Sequence, residues 1–222
     1  MIQVLSTAGN GQRAQRQARP APATTNRRGG GTSILPSVTF LGGSSRGGTY
    51  VLQMHLSQHI SLSFGRFKNS KVISLQPGSY IYIGSALADI GATCLARRLV
   101  RHASRTGAKP PHVIRDHLVA EFQRVGLGQG DLVPMAGKHL RWNIDHFLDH
   151  ECVELVGACV IRSPRRIERE VGQLLQDDPA TVVFERGVGA NDLAGNTHLL
   201  RVESETFWSE LPRKLGKLIS IT

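Results

Sequence analysis

The sequence predicts an α/β domain of the α+β kind, a small, mostly antiparallel central sheet flanked by helices. Three observations point there. Short β-prone segments with alternating side chains come first, an amphipathic helical stretch follows the second confident strand, and helix, strand and helix then succeed one another.

Residues 49–56 alternate and are rich in β-formers, which reads as a strand. Residues 61–64 and 71–75 read as two further short β segments, and Pro77 with Gly78 turns the chain into a second confident strand at 80–83. After Gly84 and Ser85 the period changes. Residues 87–105 place Ile90, Cys94, Leu95 and Leu99 on one side and Arg97, Arg98, Arg101, His102 and Arg105 on the other, the pattern of an amphipathic helix. Residues 106–138, with Pro110, Pro111 and the glycine-rich run at 126–130, look like an insertion, and 113–125 within it reads as one helix. Helix returns at 140–149, a buried strand follows at 153–161, and Ser163–Pro164 predicts the N-cap and first turn of a helix reaching residue 176. Residues 181–185 and 198–202 are β-prone.

Composition bounds what such a domain does. Forty percent of the residues are hydrophobic and 20% charged, and no run approaches the roughly 18 apolar residues of a membrane span. The net charge is +10, unevenly placed. Residues 1–47 hold six arginines (Arg13, Arg16, Arg19, Arg27, Arg28, Arg46) and no acidic residue, which leaves 21 basic against 17 acidic residues beyond them. Such a balance favours a polyanionic partner without choosing among nucleic acid, acidic proteins and membranes. Residues 1–46 are rich in Arg, Gly, Ala, Ser, Thr and Pro, and are expected to be a disordered basic tail. A nucleic-acid-binding arm, an organelle transit peptide and a dispensable tail are all open for it. Cys94, Cys152 and Cys159 show no zinc spacing, and three reduced thiols suit a cytoplasmic compartment, or an organelle if the tail is a transit peptide.

Hydrolysing a phosphodiester requires a deprotonated water, neutralised phosphoryl oxygens and a stabilised leaving oxygen. One divalent metal with a carboxylate, an Arg and a Tyr meets all three. Gly48-Thr49-Tyr50 and Tyr82-Ile83-Gly84-Ser85 resemble the two signatures of the GIY-YIG nuclease superfamily, and Arg98 with His102 matches the Arg and His four residues apart on the helix that follows. Glu168 and Glu170 lie on a later helix comparable to the one carrying that family's metal-binding Glu. The similarity is closer to a branch of small stand-alone archaeal and bacterial domains, sometimes fused to a base-excision glycosylase. That branch spaces its signatures widely and follows them with a TrpHisIleAsp helix and an AspCysArgCysProSerHisLeu loop. Here Trp142-Asn143-Ile144-Asp145 stands in the first place and the stretch from Asp192 through His198 to Leu199 in the second. Asn143 replaces the His, and Leu193 and Gly195 replace both cysteines, so the roles of those groups do not carry over.

The resemblance, over residues 47–205 with 206–222 as a C-terminal extension, implies a metal-dependent endonuclease acting on DNA. Tyr82 would be the general base, Arg98 would neutralise the phosphoryl oxygens, Tyr50 would orient the water, and His102 would transfer a proton. Glu170, ahead of Glu168, would hold one Mg²⁺ or Mn²⁺. Gly84, Ser85, Arg101, Asp192 and His198 would contact substrate. Taken singly, each residue also has an ordinary structural reading: a half-buried strand tyrosine, a solvated arginine, a surface glutamate pair, a loop histidine. Two other functions fit the chain, a catalytically degenerate nucleic-acid-binding module and a protein-interaction domain with a basic tail.

Overall fold

The structure, a computed structural model, describes residues 36–189 and 197–221. In chain order the elements are β1 (Ser37–Gly42), β2 (Gly48–Leu56), β3 (Ile60–Ser63), β4 (Val72–Leu75), β5 (Gly78–Ala86), α1 (Leu95–His102), α2 (Ile114–Arg124), α3 (Asn143–Leu148), β6 (Val153–Arg162), α4 (Glu168–Gln176), β7 (Thr181–Val182), β8 (Leu199–Val202) and α5 (Phe207–Ile221). Six strands form one sheet in the order β1-β6-β2-β5-β8-β7, and β3 and β4 form a separate hairpin. β1 runs parallel to β6 and every other neighbouring pair is antiparallel, so the α+β expectation holds.

Because successive side chains of a strand point to opposite faces, the centre of the sheet is buried twice. Tyr50, Leu52, Met54 and Leu56 of β2 share one face with Tyr80 and Tyr82 of β5, under Leu95 and Leu99 of α1, Leu118 and Phe122 of α2, and Ile144 and Phe147 of α3. Val51, Ile81, Ile83 and Ile161 face the other way, against Val171 and Leu175 of α4 and Phe207, Leu211 and Leu215 of α5. Double burial explains why β2 and β6 read as nearly unbroken apolar runs rather than as strict alternation.

Four boundaries differ from expectation, each for a local reason. Residues 36–46 are no tail: β1 pairs with β6 from Ser37↔Gly157 to Gly42↔Arg162, while the rest of the presumed tail, 1–35, lies outside the described residues. The helix expected over 87–105 is α1 alone, because residues before it turn at Gly91, whose carbonyl accepts the Cys94 N–H at 3.2 Å, and bridge Ala88 to Cys94. α4 begins at Glu168, because the Ser163 hydroxyl accepts the Arg165 N–H in a turn of its own. The presumed C-terminal extension is α5, which covers the second face and ties back to β1 where the Trp208 indole donates to the Ser37 hydroxyl at 3.0 Å.

The region 106–138 does contain the anticipated helix, α2, and its Leu118 and Phe122 are fully buried in the main core. The segment expected to be an insertion is therefore part of the hydrophobic core. Among the described residues no helix is long and apolar enough to cross a membrane, and all three cysteines are free thiols.

Candidate active site

Neighbouring strands assemble the first part of the site. In the β2–β5 ladder Tyr50 lies opposite Gly84, and Tyr82 is one diagonal step away on the same face, with ring centroids 6.4 Å apart. Gly84 makes this possible, since a Cβ there would stand 2.5 Å from the Tyr50 hydroxyl oxygen. Gly48 has a comparable steric role, because a Cβ would collide with the Ile161 carbonyl of the adjoining strand. Both signature glycines are thus explained by close packing. Gly84 gives the Tyr50 ring its seat.

α1 contributes the next layer. His102, 1% exposed, meets the Tyr50 hydroxyl with Nε2 at 2.9 Å. One turn earlier, Arg98 donates from Nη1 to the Ser85 carbonyl at 2.6 Å, while its Nε is buried without a hydrogen-bond partner. Its guanidinium carbon lies 4.5 Å from the centre of the Trp142 ring, and that of Arg101 lies 4.3 Å from the same centre. Trp142 opens α3 and holds both arginines in place.

Asp145 anchors this arrangement. It is fully buried, accepts from both terminal nitrogens of Arg101 at 3.0 and 2.8 Å, and caps α3 by accepting the backbone N–H groups of Arg141 and Trp142 at 2.8 and 2.9 Å. Burial alone would raise its pKa, yet the Arg101 bonds, His102, Lys138 and the capping N–H hold the carboxyl down at about 2. Arg101 is thereby committed to Asp145 and to the His139 carbonyl, so it supports the site from within instead of facing substrate.

The carboxylate that closes the site is Glu168. It accepts from the Ser85 hydroxyl and stands 3.3 Å from Nδ1 of His198. Burial raises its pKa, but the His198 and Ser85 bonds outweigh this and keep it ionised. Glu168 and Arg98 both bear electrostatically on Tyr50 and Tyr82. Glu170 lies exposed on α4, and Glu168 is the glutamate of the two that reaches the site. Glu168 lies on the side of α4 that carries the buried Val171 and Leu175, three and seven residues further on. His198 is 2% exposed, its Nε2 has no hydrogen-bond partner, and its carbonyl accepts the Ile83 N–H at 2.9 Å. Asp192 lies outside the described residues.

The protonation pattern follows from burial. Desolvation pushes both phenols well above the usual tyrosine value, with Arg98 pulling the other way, and it drives His102 down to about 3 despite Asp145. The resting site therefore holds two protonated phenols, a neutral imidazole and an ionised Glu168. Among the described residues no three His, Cys, Asp or Glu side chains converge as a metal cage. A single ionised carboxylate with lone pairs to spare still fits Mg²⁺ or Mn²⁺, which take one or two carboxylates and complete their shells with water and phosphate oxygens.

The structure thus brings Tyr50, Tyr82, Arg98, His102, Glu168 and His198 together. Ser85 and Arg101 are bound within the protein, and Glu170 stands outside. Sequence reasoning had quoted Trp142 and Asp145 only as motif letters, and it passed over Lys138, which no spacing rule singles out.

A family model described as a domain of unknown function, DUF123, matches residues 49–219, a span that runs from the first signature into α5. No curated protein and no solved structure matches the chain.

Proposed function

We propose that this chain, which belongs to the DUF123 family, is a metal-dependent endonuclease that hydrolyses phosphodiester bonds in DNA. The observation carrying this reading is the convergence of two phenols, an arginine, an imidazole and an ionised carboxylate from β2, β5, α1 and α4 on one patch.

Arg98 would pair with the phosphoryl oxygens. Its Nε has no protein partner, and stacking on Trp142 fixes the guanidinium plane, so little reorganisation is needed as charge develops. Glu168 would hold Mg²⁺ or Mn²⁺, which supplies positive charge against the phosphate and acidifies water when bound. Tyr82 would take the proton of the attacking water. Burial opposes its ionisation, so it serves as a base only when Arg98 and further positive charge favour phenolate. Tyr50, hydrogen-bonded to His102, would orient the water or a phosphate oxygen. The net charge of +10 favours a polyanionic substrate.

One observation favours a second reading. Both phenols are pushed upward and the carboxylate stands without a second acidic ligand among the described residues. A catalytically degenerate module that binds nucleic acid without cutting it would look the same.

Supercoiled plasmid incubated with the full chain and Mg²⁺ or Mn²⁺ tests both readings. Nicking that disappears with chelator, and in folded Tyr82→Phe, Arg98→Ala and Glu168→Gln variants, supports the endonuclease. Salt-dependent plasmid binding without nicking supports the binding module. Neither binding nor nicking leaves the protein-interaction reading.

A further inference from the structure

His102 presents Nε2 to Tyr50 and turns Nδ1 inward, where it is buried without a hydrogen-bond partner. Two charged groups stand beyond it. Asp145 Oδ1 lies 3.8 Å from Nδ1, and Lys138 Nζ lies 3.8 Å from that same oxygen. Lys138 is 3% exposed, and its ammonium also has no hydrogen-bond partner. Both separations are too long for a direct bond but suit one bridging water or a small closure. Two buried charged groups thus converge behind the histidine of the site.

A buried cation without a hydrogen bond is costly, and an apolar side chain of similar size would fill the space at less expense. Lys138 therefore calls for an explanation beyond packing. We propose that Lys138 and Asp145 are a positioning pair that fixes the state of His102: Nδ1 carries the hydrogen and points it at Asp145, leaving Nε2 bare to accept the Tyr50 O–H as a hydrogen bond.

The chemistry of imidazole requires both members. A neutral ring has one donor and one acceptor nitrogen, whereas imidazolium has two donors and accepts nothing from a phenol. Asp145 directs the hydrogen to Nδ1. Acting alone, it would also draw His102 toward imidazolium, and Lys138 opposes that charge. The groups facing the ring are Tyr50 from β2, Tyr82 from β5, Arg98 and Arg101 from α1, Lys138 from the segment before α3, and Asp145 from α3. Arg101 is tied to Asp145 and Arg98 to Ser85, whereas Lys138 is the cation of the three without a hydrogen bond of its own. Burial and Asp145 together set the Lys138 ammonium at about 8, burial pulling it down and the carboxylate up, so it still carries its charge at neutral pH. With Nε2 unprotonated, the imidazole holds the Tyr50 O–H as an acceptor, and the phenol oxygen keeps its lone pairs for the water or phosphate oxygen it would orient.

This proposal rests on the endonuclease reading only for its effect on cutting, since the tautomer is a property of the folded chain. Nitrogen-15 NMR of the imidazoles in the full chain reads it directly, with the His102 signals assigned by their loss in His102→Gln. The expected result is an Nδ1–H tautomer in the parent. Lys138→Met should raise the His102 titration midpoint by roughly one pH unit or more, and Lys138→Arg should restore it. Asp145→Asn should redistribute the hydrogen between the two nitrogens. An Nε2–H tautomer in the parent overturns the proposal, and the parent spectrum decides this even if a variant fails to fold. So does a His102 signal that neither substitution moves in folded protein. If plasmid is nicked, the pH profile of kcat should shift with the His102 midpoint in Lys138→Met while KM stays constant. A chain that nicks nothing yet shows the expected tautomer would overturn the endonuclease reading and leave the positioning pair standing.

Discussion

The two faces of the sheet are made from the same strands, one residue out of phase, yet they bury different chemistry. Val51, Ile81, Ile83 and Ile161 meet α4 and α5 in a nearly pure hydrocarbon contact. On the other face Tyr50 and Tyr82 share the interior with His102, and behind them lie Lys138 and Asp145. Of the buried ionisable groups, His102, His112, Lys138, Asp145 and Asp149 belong to α1, α3 or the segments around them, while His198 precedes β8 and Cys159 lies on the second face. Desolvating such groups costs stability that a hydrocarbon face does not lose. That cost falls mainly on one side, and the hydrocarbon side joins the candidate site only at its rim, where Glu168 of α4 meets Ser85 of β5.

That contrast is open to direct test, and the largest effect should come from breaking the charged side. Asp145→Ala leaves Arg101 without its carboxylate, Lys138 without its nearest counter-charge and two backbone N–H groups without their acceptor, and should cost about 3–5 kcal/mol in denaturant unfolding. A loss under about 1 kcal/mol would show that the network contributes little.

Acid should act on the same side. His102 is neutral in the fold down to about pH 3 but takes a proton near 6.5 when unfolded. Its depressed pKa therefore adds stability that is fully present above about 6.5 and is lost as pH falls from there toward 3. Asp145 adds a second loss between about 4 and 2, where the unfolded carboxyl takes a proton before the folded one does. The acid limb of the stability curve should be shallower in His102→Gln, and an unchanged limb would place the titration elsewhere.

On the hydrocarbon side, Leu211→Ala should cost about 2–5 kcal/mol through a cavity, with a stability change that does not depend on pH. A value near zero would return residues 206–222 to the status of an appendage. Gly84→Ala should cost roughly 1–3 kcal/mol, because the new Cβ overlaps the Tyr50 ring. Smallest of all, Glu170→Gln should change stability by less than about 0.5 kcal/mol and leave any plasmid nicking intact, whereas Glu168→Gln should abolish it.

Much of the charged face was legible in the sequence because its groups sit at fixed spacings. Tyr50 and Tyr82 fall on alternating strands, and the four-residue step from Arg98 to His102 puts both on one side of α1. What was not legible depends on contacts distant in sequence. β1 reads as part of an Arg- and Gly-rich tail because its strand character comes from a parallel neighbour more than a hundred residues away. α5 carries Pro212 in its interior, which masks its helical pattern. Lys138 reads as one more loop lysine, a residue type that is almost never buried without a partner.

The fit of Tyr50 against Gly84 has a consequence for how this chain can vary. With the ring occupying the space of a missing Cβ, the residues at 50 and 84 amount to one choice made at two positions. A larger residue at 84 is admissible only where the aromatic at 50 has gone, and with it the hydroxyl that meets His102. Drift at a glycine with no chemistry of its own would therefore silence the tyrosine first, and a working member of this lineage should be recognisable by the pair kept together.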